Sequence, residues 1–194
     1  MSSSPPGKLR GWILPARPWP LRASARSARS RPILGSPEKR ERIVREVIER
    51  YGRLDALVNN AAVGRVGRLT DLDAEGVCEV MTTNFVAVAD LTRLALPHVR
   101  RTQGDIVMVA SALAWFPAPP LSLYSATRAS VHGLVAALRR QETRDVRVHE
   151  ILPGFVATEW LAYASGWRPT DARPHAATAI GTAPSRVAAM VERC

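Results

Sequence analysis

The chain has 194 residues, 46% of them hydrophobic and 23% charged, enough for one domain with a sizeable buried core. Its net charge of +10 is not spread over a fold: Lys8, Arg10, Arg17, Arg22, Arg26, Arg29 and Arg31 all precede the first acid, Glu38, leaving only +3 for the rest. Charge gathered in one tail argues against nucleic acid as the main partner. Cys78 and Cys194 have no CxxC spacing, which argues against a zinc site or a disulfide framework and suits a reducing, cytoplasmic location. No apolar run approaches the length of a membrane span, so no membrane contact is expected.

Residues 1–35 are rich in Pro, Ser and Arg and carry neither a helical nor a strand period, so they are expected to be a disordered basic tail. An Arg- and Ser-rich, acid-free start also fits a transit peptide, although Pro15, Pro18 and Pro20 break any amphipathic helix there. A misassigned gene start gives the same composition. From Ser36 the texture changes. Ser36 can cap a helix and Pro37 suits its first position; Ile43, Val44, Val47, Ile48 and Tyr51 recur on one face until Gly52. The charged residues from 38 to 50 read as the solvated face of that helix. LDALVN (54–59) is a short apolar run of the kind found in a parallel strand buried on both faces. A loop with Gly64 and Gly67 precedes one long helix over about residues 74–100.

DIVMVA (105–110) reads as a second strand, Ser122–Gln141 as a third helix, VRVHEIL (146–152) as a third strand ended by Pro153-Gly154, and 184–192 as a late helix. Alternation of helix and strand predicts α/β architecture with three parallel strands in the spatial order of the sequence, right-handed crossovers and helices mainly on one face. His132 and His149 are expected on element surfaces, and His98 at a helix end. The spacing also has chemical sense. Tyr124 and Arg128 stand at i and i+4 on one helix face, while Ser111, Asn60 and Pro153-Gly154 fall at carboxyl ends of parallel strands, where open α/β sheets bind ligands.

LDALVNNAA (54–62), Asn84 in a long helix, Ser111 ending a strand, Tyr124 thirteen residues later and PGFVAT (153–158) together resemble the short-chain dehydrogenase/reductases from about Ser36 to Thr158. The resemblance implies a partial, doubly wound Rossmann-type sheet, NAD or NADP as cofactor, and a small-molecule carbonyl or alcohol substrate. It implies Tyr124 as acid/base, Ser111 as substrate orienter, Asn84 as holder of a relay water and Arg128 in the position that binds the nicotinamide ribose. Asn60, Ala61, Ala62, Pro153, Gly154, Val156 and Thr158 fall at its cofactor-binding positions.

Three departures accompany the match. Arg128 stands where the family has lysine, which replaces a compact ammonium by a planar guanidinium that does not release its proton at working pH. Ala62 stands where glycine is usual, which would limit backbone approach to the cofactor. No glycine-rich turn follows a first strand, because the residues before Ser36 show neither; GRVG (64–67) lacks the spacing. Residues 36–194 are therefore expected to form an incomplete domain of this type, with an unpaired edge at strand 54–59, an apolar sheet face partly covered by helix 184–192, and a tendency to self-associate. Two functions follow: an NAD(P)-dependent oxidoreductase, or an inactive relative with a structural or interaction role. Trp160, Tyr163 and Trp167 are candidate walls for a bulky apolar substrate.

Overall fold

The computed structural model describes residues 34–142, 144–156 and 189–190. Helix α1 (Pro37–Tyr51) starts on Pro37 and stops at Gly52, whose φ of 71° lets its N–H turn back onto the Ile48 carbonyl at 2.8 Å. Ser36 occupies the N-cap position, but its hydroxyl bonds the Glu38 carboxylate rather than a backbone N–H. One charged residue of α1 departs from the solvated-face expectation. Arg40 is only 3% exposed and pairs through Nε with Asp90 at 2.6 Å, while Nη1 donates to the Leu34 carbonyl. Periodicity counts an arginine as polar, but its long stem and five donors let it lie buried wherever a carboxylate and a carbonyl meet it.

Strands β1 (Ala56–Asn59), β2 (Asp105–Val109) and β3 (Arg147–Ile151) form one parallel sheet in that order, with Leu57 opposite Ile106 and Ile106 opposite Val148. The sheet is open and each strand lies inside its expected range. Gly104 sets the entry to β2: a Cβ there would lie 2.0 Å from the Asp55 carbonyl oxygen, so the backbones approach as only glycine allows.

The region expected as one helix is two. α2 (Ala74–Met81) and α3 (Ala87–Thr102) are joined by a π-helical turn, Thr82–Val86, in which the Ala87 N–H reaches back five residues to Thr82. Both α3 and α4 (Ser122–Gln141) pack on the face of the sheet that carries Leu57, Ile106, Met108, Ala110 and Val148, with Val88, Ala95, Val99, Val131, Val135 and Leu138 completing the core. The opposite face is uneven. Val107 is buried but Val58 is 45% exposed, so β1 is covered on one side only, not on both. The expected two-sided burial fails there because α3 and α4 pack on the Leu57 face, and Val58 points to the other. Of the expected basic tail only Leu34 and Gly35 are described, and of helix 184–192 only Ala189 and Met190, both helical.

The histidines have partners. His132 on α4 bonds Glu150 of β3 at 2.9 Å and meets the Trp115 ring edge-on at 4.7 Å; His149 bonds Asp105 at 2.8 Å. Both are partly buried between elements rather than simply exposed on them.

Candidate active site

β2 ends at Val109, and two residues later Ser111 turns the chain into a short 3-10 turn, Ala112–Ala114, by accepting the Leu113 N–H on Oγ at 3.1 Å. This turn fixes the serine at the carboxyl end of the central strand. It is tied to β3 as well: the Ala112 N–H donates to the Pro153 carbonyl at 2.8 Å. A second 3-10 turn, Pro119–Leu121, launches α4, so that Tyr124 lies in its first turn and shares a hydrogen bond with Ser111. Ser111 is 8% exposed, and Tyr124 is half-buried.

Arg128 lies one turn further along the same face. It is 2% exposed, and its guanidinium carbon sits 4.9 Å from the centroid of the Tyr124 ring. Nη1 donates to the Val109 carbonyl at 3.3 Å, whereas the buried Nε and Nη2 have no hydrogen-bond partner among the described residues. The cation is thus over the ring face. Burial pushes the Tyr124 hydroxyl above its ordinary value, and the opposing pulls of Arg128 and of the Ser111 hydrogen bond are smaller. The same burial lowers the arginine.

Asn84 is fully buried within the π-helical turn. Its Oδ1 accepts the Val63 N–H at 2.8 Å, and Nδ2 donates to the Val63 carbonyl at 2.8 Å and to Thr127 Oγ1 at 3.2 Å. Thr127 in turn donates to the Tyr124 carbonyl at 2.7 Å. Both amide N–H groups are spent on protein. The Asn84 side chain clamps the loop after β1 to the helix that bears Tyr124. Thr127 and the Val63 backbone were not among the expected site residues; the one local signal was a threonine inside a helix, where the hydroxyl commonly bonds back to a carbonyl one turn earlier.

The structure thus brings Ser111, Tyr124 and Arg128 together, with Asn84 joined to them through Thr127. Asn60 and Ala61 lie exposed at the end of the neighbouring strand β1. They line a separate pocket of about 240 Å³ whose walls include Ile43, Val47 and Leu57, and which contains none of the three clustered residues. Ala62 has no positive φ, so alanine is accommodated there without backbone strain. Gly154 is exposed and open, with no atom within 4 Å of where a Cβ would stand, and Val156 is half-buried. Thr158 and the candidate walls Trp160, Tyr163 and Trp167 lie outside the described residues.

The sequence matches the short chain dehydrogenase family over residues 33–169. The chain belongs to that family. It is 34% identical to 11-beta-hydroxysteroid dehydrogenase A of Sesamum indicum over 134 residues, covering 67% of this chain and 38% of that protein. It is likewise 34% identical to 11-beta-hydroxysteroid dehydrogenase 1A of Arabidopsis thaliana over 127 residues, covering 65% of this chain and 36% of the other. The chain therefore spans less than two fifths of the length of these relatives. Among solved structures, an alcohol dehydrogenase from the archaeon Thermococcus sibiricus, complexed with 5-hydroxy-NADP, superposes with a TM-score of 0.69 at 25% identity, covering 81% of this chain and 63% of that one. The KRED1-Pglu enzyme gives 0.63 at 29% identity, covering 66% and 54%.

Proposed function

We propose that this chain carries the substrate-orienting and proton-transferring part of an NAD(P)-dependent oxidoreductase acting on a carbonyl or alcohol. The observation that carries the reading is the Ser111–Tyr124 hydrogen bond at the carboxyl end of β2, with Arg128 beneath the tyrosine ring. A carbonyl reduced at this point becomes an alkoxide that needs a proton, and a tyrosine held protonated by burial is poised to donate one. Ser111 orients the carbonyl oxygen against it.

The nicotinamide end of NAD or NADP fits the residues present, because the orphaned Nε and Nη2 of Arg128 can meet hydroxyl or other acceptor oxygens. When bound, the cofactor supplies or accepts the hydride. Asn60, Ala61, Ala62, Pro153, Gly154, Val156 and Thr158 are assigned to the cofactor by family position alone. The chain's own part is to bind, to exclude water and to move a proton at Tyr124 Oη.

A second reading, a family member without turnover and with a structural or interaction role, is favoured by one observation. Burial outweighs the downward pull of Arg128 at Tyr124, which leaves the hydroxyl above its ordinary value. The two separate by titration with NADH and NADPH followed by fluorescence, and by carbonyl-dependent oxidation of either. Saturable binding with turnover abolished in Tyr124→Phe supports the oxidoreductase. Absence of both leaves the second reading.

A further inference from the structure

Helix α1 is tied to α3 near its start and just past its end. Arg40 pairs with Asp90 at 2.6 Å, and the Leu54 carbonyl accepts the Thr102 hydroxyl at 2.9 Å. Between these ties lies a pocket of about 240 Å³. Ile43 and Val47 line it from α1, Leu57 from β1, and Val88 and Leu91 from α3, with Leu34 beside them. Val88 and Leu91 are buried, so the α3 wall is sealed, whereas Val58 and Asn60 on the β1 side are exposed and mark the opening.

No charged residue lines the pocket, and its buried polar side chain is already engaged. The Asn59 amide donates to Thr92 Oγ1 at 3.1 Å and lies 3.2 Å from Met108 Sδ. Such a space holds water poorly, because a buried water needs about two to four polar partners. Helices tied at two points keep their separation, so the walls forgo contacts that a guest of the right size restores. We propose that this pocket binds an uncharged apolar molecule of one or two rings, with any polar group it carries facing Asn60 at the opening. A cavity of about 150 Å³ lined by Leu, Ile and Phe takes benzene. The larger volume here has room for a bicyclic guest. The site takes nothing from the reading of Ser111 and Tyr124 and stands apart from it.

Calorimetric titration of the chain with benzene, indole and benzoate, without cofactor, tests this. Benzene and indole are expected to bind saturably at one site, indole about tenfold more tightly because it buries more apolar surface. Benzoate, the same ring with a charge to desolvate, should show no saturable binding. Val47→Phe, which puts a ring of the chain's own into the pocket, should weaken both guests at least about tenfold. Should that variant not fold, methyl NMR of the parent decides: indole should shift the methyls of Ile43, Val47 and Leu91 and leave those of Val131 and Val135 on α4 unmoved. Tyr124→Phe should leave both affinities unchanged. No saturable binding, benzoate as tight as benzene, unchanged affinity in Val47→Phe, loss of affinity in Tyr124→Phe, or shifts centred on α4 overturns the inference. Affinity that falls as protein concentration rises gives the pocket to a second copy of the chain and also overturns it. Indole binding without NADH- or NADPH-dependent turnover keeps this site and removes the oxidoreductase; turnover abolished in Tyr124→Phe, with no indole binding, does the reverse.

Discussion

The guanidinium carbon of Arg128 lies 4.9 Å from the centre of the Tyr124 ring, against the face of the ring rather than at its hydroxyl. Contact with the π face contributes to packing but only modestly to ionisation of the hydroxyl, and burial decides the outcome by pushing it above its ordinary value. Carbonyl reduction, which needs the protonated tyrosine, is therefore expected to be flat with pH through neutrality. Alcohol oxidation, which needs the tyrosinate, should rise only at pH above the ordinary tyrosine range. Initial rates in both directions check this, and Tyr124→Phe should lower both by about 10²–10⁴.

Arg40 and Asp90 join α1 to α3 through a largely buried ion pair. Arg40→Ala leaves Asp90 paired with Arg93 alone and is expected to lower stability by about 1.5–3 kcal/mol, read by urea denaturation. The Arg40 hydrogen bond holds the Asp90 carboxyl below its ordinary value. Its folded-state pKa is depressed, so its contribution is present above the unfolded value of about 4 and is lost as pH falls through the folded one. In Arg40→Ala the thermal midpoint should fall less between pH 5 and about 2 than it does in the parent.

Removing the Asn84 amide orphans the Val63 N–H and carbonyl together. Asn84→Ala should cost about 1–3 kcal/mol, and hydrogen exchange should show the Val63 amide losing protection while the β2 amides keep theirs.

Two glycines should respond oppositely to alanine. Gly104→Ala drives a Cβ into the Asp55 carbonyl at 2.0 Å and should destabilise by at least about 1–3 kcal/mol. Gly154→Ala meets open space and should change the thermal midpoint by no more than about 0.5 kcal/mol implies. An effect of Gly154→Ala on cofactor or substrate binding alone would mark it as part of the site.

The edge of β1 and the half-exposed Val58 beside it offer a template for another strand. Size-exclusion chromatography should show concentration-dependent association, reduced by Val58→Lys.

Elements were legible in the sequence because each carries a period or a boundary: Pro37 and Gly52 around α1, the apolar run of 105–110, and Pro153-Gly154 after β3. The positions of Ser111 and Tyr124 followed from the strand end and the helix start. What stayed hidden depends on who meets whom across the chain. Nothing near Arg40 announces Asp90, fifty residues away, and nothing in HGL or HEI announces that His132 and Glu150 meet. The orphaned edge of Arg128 is a property of its surroundings, and no local pattern encodes it. TTNFV lies inside the apolar helical period of 74–100 and gives no sign of its wider turn.

That wider turn has a geometric use. Eight residues separate the buried Val80 and Val88, and in an unbroken helix such a spacing would set them about 80° apart around the axis. One residue absorbed by the π-helical turn brings them to within about 20°. Excising a residue there and letting α2 and α3 fuse would give a more regular spiral. It would also preserve the inward face on both sides of the cut while deleting the position from which Asn84 reaches Val63. The defect acts as a gear tooth, engaging the loop after β1 without turning the rest of the shaft.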